Sequence, residues 1–312
     1  MKRINRRYLL SLASIISTGS LFSTLSSCVV KSPLLPTRKP SWHTLQIGDV
    51  EIGFTDKGKG KPIVLIHGGV FSEWFPLVNA SPVLDNYRVI RLRRAGYGGK
   101  MLTQHLSIED HAGHAAALAD HLGLRNCHWV GHSSGCLNVL ALAIQRPDIV
   151  GSITLIEPAA ASAFAVPASQ DLLTHYVGPA MGAFQSGNLK IAFDTFLRGV
   201  CGDGYLSILR HALGDVGVEN AMQESRFFFA DEIPAIGEFS FGIEQASTIS
   251  QPIQCLEGGD QPKGLKPMAQ QISARVQALF PQARLKVIPG VNHAMPLQNP
   301  DAVATAIARF VG

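Results

Sequence analysis

The five residues Gly131-His132-Ser133-Ser134-Gly135 constrain this chain more than any other stretch. They follow the apolar run His128-Trp129-Val130 and precede Cys136-Leu137, where a helical pattern opens and continues to about Gln145. A strand that turns into a helix within five residues forces the central residue into strained backbone and lifts its side chain above the sheet. Glycines two before and two after remove the Cβ atoms that would collide. Ser133 is therefore the first candidate nucleophile. A G-x-S-x-G match also recurs in ordinary Gly/Ser turns, so its meaning depends on what the rest of the chain supplies.

The flanking sequence alternates strands with helices. Val50 to Thr55 alternates like an antiparallel strand, whereas Pro62-Ile63-Val64-Leu65-Ile66 is apolar without alternation, as in a strand covered on both faces. Tyr87 to Leu92 and Ile153 to Ile156 read as further strands. Ser107-Ile108-Glu109-Asp110 starts a helix that Gly123 ends. This order predicts a mostly parallel α/β sheet flanked by helices. From Ala159 to Ser250 the alternation gives way to helical patterns at about 170–184, 189–197, 205–213 and 219–229, an insertion long enough to form a cap. The sheet resumes at Pro252-Ile253-Gln254-Cys255-Leu256 and Leu285-Lys286-Val287-Ile288, and Asn299-Pro300 begins a last helix.

A serine hydroxyl is a weak nucleophile near neutral pH and needs a base, an orienter for that base, and donors for a developing oxyanion. Of eleven histidines, His293 lies in the loop Pro289-Gly290-Val291-Asn292-His293, after the last strand and at the sheet edge that carries Ser133. That position makes it the candidate base. His67-Gly68-Gly69-Val70 ends an earlier strand at the same edge, so the Gly69 N–H and the Ser134 N–H are the candidate oxyanion donors, and His67 is expected to brace the loop. His111 and His114 lie one helical turn apart, but no third ligand at suitable spacing supports a metal. Tyr176, Phe184, Phe193, Phe196 and Phe227-Phe228-Phe229 either line a pocket or form the cap's own core; Trp74 reads as packing.

With these residues in order, the chain resembles the lidded α/β-hydrolase family from about residue 44 to 312. The resemblance rests on the His-Gly-Gly loop, the Gly-His-Ser-Ser-Gly elbow and the late Gly-x-x-His. It implies a cap inserted after the strand ending near Glu157 and an acyl-enzyme formed on Ser133. Two departures stand out. Arg93-Arg94-Ala95-Gly96-Tyr97-Gly98 replaces the family's Asp-x-x-Gly-x-Gly, and the usual Gly-x-x-Asp slot for the triad acid, counted from Gly258, holds Gln261. The acid is then either Asp260, one residue early, or Glu157, which matches a family variant with its carboxylate after the strand that follows the elbow helix.

The N-terminus reads as an export signal. Met1 to Tyr8 carries four positive charges and no acid, an apolar run follows, and Leu25-Ser26-Ser27-Cys28 resembles a bacterial lipobox with Cys28 as the lipidated residue. Arg6-Arg7 also resembles a twin-arginine signal. The expected organisation is signal 1–27, tether 28–41, hydrolase core 42–158 and 251–312, and cap 159–250. Loss of residues 1–27 takes the formal net charge from +4 to zero, which leaves no electrostatic footprint for nucleic acid. The expected partners are a small-molecule substrate and, through Cys28, a membrane; oligomeric state is open. Cys127, Cys136, Cys201 and Cys255 show no metal-type spacing and are expected as buried thiols. No metal, nucleotide or redox cofactor is implied. The expected activity is hydrolysis of a small to medium apolar ester or related carbonyl compound. Carbon–carbon bond hydrolysis with the same residues and a non-catalytic exported ligand-binding protein are the alternatives. A dehalogenase would carry aspartate where Ser133 stands.

Overall fold

The computed structural model describes residues 41–99, 102, 104–262 and 264–312. The expected signal, Cys28 and the tether as far as residue 40 lie outside the described residues.

One eight-stranded sheet organises the described chain. Its strands are β1 (His43–Ile47), β2 (Val50–Lys57), β3 (Pro62–Ile66), β4 (Arg88–Arg93), β5 (Cys127–His132), β6 (Val150–Ile156), β7 (Ile253–Gly258) and β8 (Arg284–Ile288). The spatial order is β1-β2-β4-β3-β5-β6-β7-β8. β2 pairs antiparallel with β1 and β4, and the remaining pairs are parallel. The mostly parallel sheet is the expected one. β1 is an addition: its sequence HTLQI has mainly exposed side chains and so carries no apolar signature. Ile63 to Ile66 of β3 are buried on both faces, which explains their unbroken apolar run.

The chain enters the middle of the sheet at β3, moves outward to β4, and returns to β5 on the opposite side of β3. The strand order reverses there, and in open α/β sheets the carboxyl ends flanking such a reversal leave a crevice for a ligand. His67-Gly68-Gly69 leaves β3 at this point and Ser133 leaves β5.

Helices cover both faces. α1 (Ile108–His121) begins at a reciprocal cap: Ser107 Oγ accepts from Asp110 N at 3.0 Å, and the Asp110 carboxylate accepts from Ser107 N at 2.9 Å. α2 (Ser134–Gln145) follows the elbow. Between β6 and β7 the insertion is helical. It contains α3 (Leu189–Cys201), α4 (Tyr205–Phe227), a π-helical turn at Phe228–Glu232 and α5 (Ile233–Glu238). α4 joins the two helices expected at 205–213 and 219–229, with a kink where Gly214 adopts φ 71° and ψ 170°. α6 (Lys266–Leu279) and α7 (Pro300–Val311) complete the core, and the Asn299 side chain caps α7 by accepting from Ala302 N at 3.2 Å.

Buried histidines make the fold acid-sensitive. His128 on β5 is fully enclosed between the Ser152 and Thr154 hydroxyls of β6 at 2.7 and 2.8 Å, and burial pushes it down to about 3, with Lys61 adding a smaller repulsion. His67, His111 and His132 are likewise lowered, chiefly by burial. The unfolded chain regains an ordinary value near 6.5 and binds protons that the folded chain refuses. Stability is therefore fully present above pH ~6.5 and is lost as pH falls toward the depressed folded values. Each such histidine contributes a slope of up to about 1.4 kcal/mol per pH unit. Thermal unfolding from pH 8 to 5 at constant ionic strength should show a level Tm above about pH 7 and a fall of several degrees per unit below 6.5. A Tm that stays level to pH 5 would contradict this account. Cys127, Cys136, Cys201 and Cys255 are buried free thiols, and burial raises Cys127 to about 11.

Candidate active site

The elbow is as strained as its sequence requires. Ser133 has φ 53° and ψ −122°, outside the regions that non-glycine residues ordinarily occupy. Its N–H donates to Ile156 O at 2.9 Å, and its carbonyl accepts from Cys136 N at 3.0 Å, so both neighbouring elements hold the strain. The flanking glycines are needed for space. A Cβ on Gly131 would sit 2.5 Å from Gly135 O, and one on Gly135 would sit 2.6 Å from both Ile66 O and His67 O.

His293 and Glu157 meet beside Ser133. Glu157 follows β6 with φ 48°, and its Oε2 lies 3.4 Å from His293 Nδ1, long for a hydrogen bond but correctly directed. Its other oxygen accepts from Gly258 N at 2.6 Å and Gln261 Nε2 at 2.7 Å. Asp260 is exposed on the surface, with its N–H on Val291 O. Of the two candidate acids, the structure brings Glu157 to His293 and leaves Asp260 outside. The carboxyl ends of β6, β7 and β8 lie along one edge of the sheet, and the loop after β8 brings His293 back to the end of β6. The His293 loop is fixed from both sides: His132 Nε2 lies 2.9 Å from His293 O, and Asn292 Nδ2 donates to Cys201 O of the cap at 2.8 Å. The His132 ring packs against both Trp74 and His293, at centroid distances of 4.6 and 4.8 Å.

The loop after β3 is braced as expected of His67. The His67 ring places Nδ1 2.7 Å from Gly68 O and accepts Arg94 N on Nε2 at 3.1 Å, which makes Nδ1 the protonated nitrogen. Trp74 does more than pack, since its Nε1 donates to Gly69 O at 2.9 Å. Gly69 is required for a reason the sequence concealed: a Cβ there would lie 2.4 Å from the Phe228 ring of the cap.

Ser133, Ser134, Gly69, Glu157 and His293 line one cavity of about 420 Å³. Its walls are mostly apolar, with Leu172, Val177, Phe196, Val200 and Phe228 from the insertion and Leu256, Leu265 and Ile272 from the sheet domain. The cap aromatics divide between the two expected uses. Phe196 and Phe228 face the cavity, whereas Phe193 packs on Tyr205 and Phe227 packs on Tyr97. The His111 and His114 rings stand 5.9 Å apart, and among the described residues no group of three His, Cys, Asp or Glu gathers to hold a metal.

Residues 63–306 match the model of the alpha/beta hydrolase family. The chain belongs to that family. A non-heme haloperoxidase of Rhodococcus erythropolis is 28% identical over 282 residues, covering 84% of this chain and 96% of that protein. An sn-1-specific diacylglycerol lipase of Mus musculus is 23% identical over 261 residues, covering 80% of each. Among solved structures, a thermophilic esterase from Thermogutta terrifontis superimposes with a TM-score of 0.67 at 21% identity, covering 88% of this chain and 98% of that one. An enol-lactonase from Burkholderia xenovorans gives 0.69 at 16% identity, covering 86% and 99%.

In this hydrolase the slot after β7 where the resemblance led us to expect an acid holds Gln261, and its amide donates to Glu157 instead. The substitution that left the acid open in the sequence is thus part of the support for Glu157. Arg94, Glu224 and Glu232 also contact the loops around the cavity, and no local pattern singled them out. Only the departure at Arg93-Arg94 from the family's acidic residue hinted at unusual electrostatics there.

Proposed function

We propose that this hydrolase cleaves a small to medium, neutral, apolar ester through an acyl-enzyme on Ser133. The observation that carries the proposal is the convergence of Ser133, His293 and Glu157 on one apolar cavity with two backbone donors at its edge. His293 Nε2 takes the Ser133 proton as the hydroxyl attacks the ester carbonyl, and Glu157 holds Nδ1–H and stabilises the imidazolium. The N–H groups of Gly69 and Ser134 receive the oxyanion. The imidazolium returns its proton to the leaving alkoxide, and water repeats the sequence to release the acid.

Lining chemistry supports a neutral acyl group. Among the described lining residues there is no Lys or Arg to pair with a substrate carboxylate, while Glu157 and Glu257 would repel one. This disfavours the carbon–carbon hydrolase reading for acidic diketones, and the placement of Glu157 against His293 on the cavity that Ser133 lines favours turnover over a binding protein. A cavity of about 420 Å³ suits a small to medium acyl group. The test is a series of p-nitrophenyl esters from two to twelve carbons, combined with fluorophosphonate labelling and mapping of the adduct. A rate maximum at intermediate length and an adduct on Ser133 are expected; an unlabelled protein, or an adduct elsewhere, would rule the proposal out.

The basic, then apolar, N-terminus and Leu25-Ser26-Ser27-Cys28 support an exported, membrane-anchored enzyme. Cells fed labelled fatty acid should incorporate it into the full chain and not into Cys28→Ala. Equal labelling of the two would exclude the anchor.

A further inference from the structure

We propose that Glu232, carried by the cap, is a positioning residue that sets both oxyanion donors through Arg94 and Ser134, so that the cap is a structural part of the oxyanion hole. This rests on the serine-hydrolase reading above, and goes beyond it by giving the cap a role in the chemical step.

The side chains of Arg94 and Glu232 are 1% and 0% exposed and pair at 2.8 Å. A buried ion pair rarely adds stability over an apolar replacement of equal volume, because both charges lose their hydration. Its partners show what this one does. Glu232 Oε1 accepts from Arg94 Nη2 and also from Ser134 Oγ at 2.6 Å, and Oε2 accepts from the Tyr97 hydroxyl. The same Arg94 Nη2 donates to Gly68 O at 3.1 Å, beside the bond from His67.

These contacts act on the two donors by different routes. In a trans peptide the carbonyl and the following N–H point in opposite directions, so tying Gly68 O down into the protein turns the Gly69 N–H the other way. Arg94 thereby aims the first donor. Ser134 supplies the second through its backbone, and its side chain is anchored on Glu232 at the first residue of α2. One carboxylate oxygen therefore holds both sides of the hole at a fixed separation.

The insertion delivers this carboxylate on the π-helical turn Phe228–Glu232 that follows α4. Such turns in otherwise α-helical segments are common at functional sites. Phe228, at the other end of the turn, lines the cavity and packs against Gly69. Two helical turns earlier, Glu224 accepts from Ser72 N at 2.6 Å, Ser72 Oγ at 3.1 Å and Gly98 N at 3.2 Å, which binds α4 to the loops after β3 and β4. A displacement of the cap by substrate would thus be felt at Gly69 and Ser134.

The test uses the full chain with Ser134→Ala and Glu232→Gln. Ser134→Ala keeps the backbone donor and removes only the tether, and Glu232→Gln removes the charge that balances Arg94. For Ser134→Ala a fall in kcat of roughly tenfold with KM unchanged is expected, and for Glu232→Gln a larger fall, below the ~10²–10³-fold seen when an oxyanion donor is deleted outright. Affinity for an alkyl boronic acid, which forms a tetrahedral adduct on the serine, should weaken by the same factor as kcat in each variant. A merely structural ion pair would lower Tm without that parallel. If Glu232→Gln does not fold, Ser134→Ala alone decides. Wild-type kcat and boronate affinity in Ser134→Ala, with the wild type active, would overturn the positioning role only. A wild type that neither labels with fluorophosphonate nor turns over esters would overturn the underlying function and this role with it.

Discussion

Ser133→Ala is expected to reduce kcat on a medium-chain p-nitrophenyl ester by about 10⁴- to 10⁶-fold, with KM changed little. The loss is that large because the covalent route disappears, whereas the cavity and the oxyanion donors remain to bind the substrate. What persists is the residual acceleration available to water in a site that still stabilises a tetrahedral intermediate. The strained φ of Ser133 is imposed by β5, α2 and the glycines around it, so alanine should occupy the same backbone and the variant should fold. Circular dichroism and thermal unfolding close to wild type, together with loss of the pre-steady-state burst, complete the expected result. Turnover within tenfold of wild type would remove Ser133 from the mechanism.

Glu157→Gln should lower kcat by about 10³- to 10⁴-fold, while Asp260→Asn should leave it within twofold. In Glu157→Gln the amide oxygen keeps the place of Oε1, which is held by Gly258 N and Gln261 Nε2. That orientation points the new NH₂ group at His293 Nδ1, which must then accept rather than donate. The ring proton moves to Nε2, where it faces Ser133, and the histidine can no longer act as a base. Binding is untouched because the cavity wall keeps its shape, so the effect falls on kcat. Asp260 has no such link: it lies exposed beyond the turn that carries Gln261. A large loss in Asp260→Asn with a near-normal Glu157→Gln would reverse the assignment.

The chemistry-bearing residues differed in how far they could be read locally. Ser133, its flanking glycines and the Gly69 loop obey constraints that act within a few residues, since a sharp strand-to-helix turn needs glycine and a buried parallel strand needs an apolar run. His293 could be placed because its loop follows the last strand, and parallel strands bring their carboxyl ends to one edge. The acid could not be settled in the same way. Glu157 and Gln261 stand far apart in the chain and meet because β6 and β7 are neighbours, which strand order alone decides. Trp74 likewise read as packing until its indole N–H was seen on Gly69 O.

The insertion shows the same limit more strongly. Helical periodicity found its helices up to Phe227 but not α5, and Glu224 and Glu232 look like solvated helix charges, Arg93-Arg94 like a charged loop. Their burial against Ser72, Gly68 and Ser134 depends on how the cap seats on the core. The amino-acid sequence by itself determined the sheet, the elbow and the positions of the candidate nucleophile and base, because each follows from short-range sterics or from strand direction. Tertiary structure alone decided which carboxylate lies beside His293 and which cap residues contact the loop after β3. Those choices are contacts between distant segments, and a charge becomes a partner only when another segment excludes water from it.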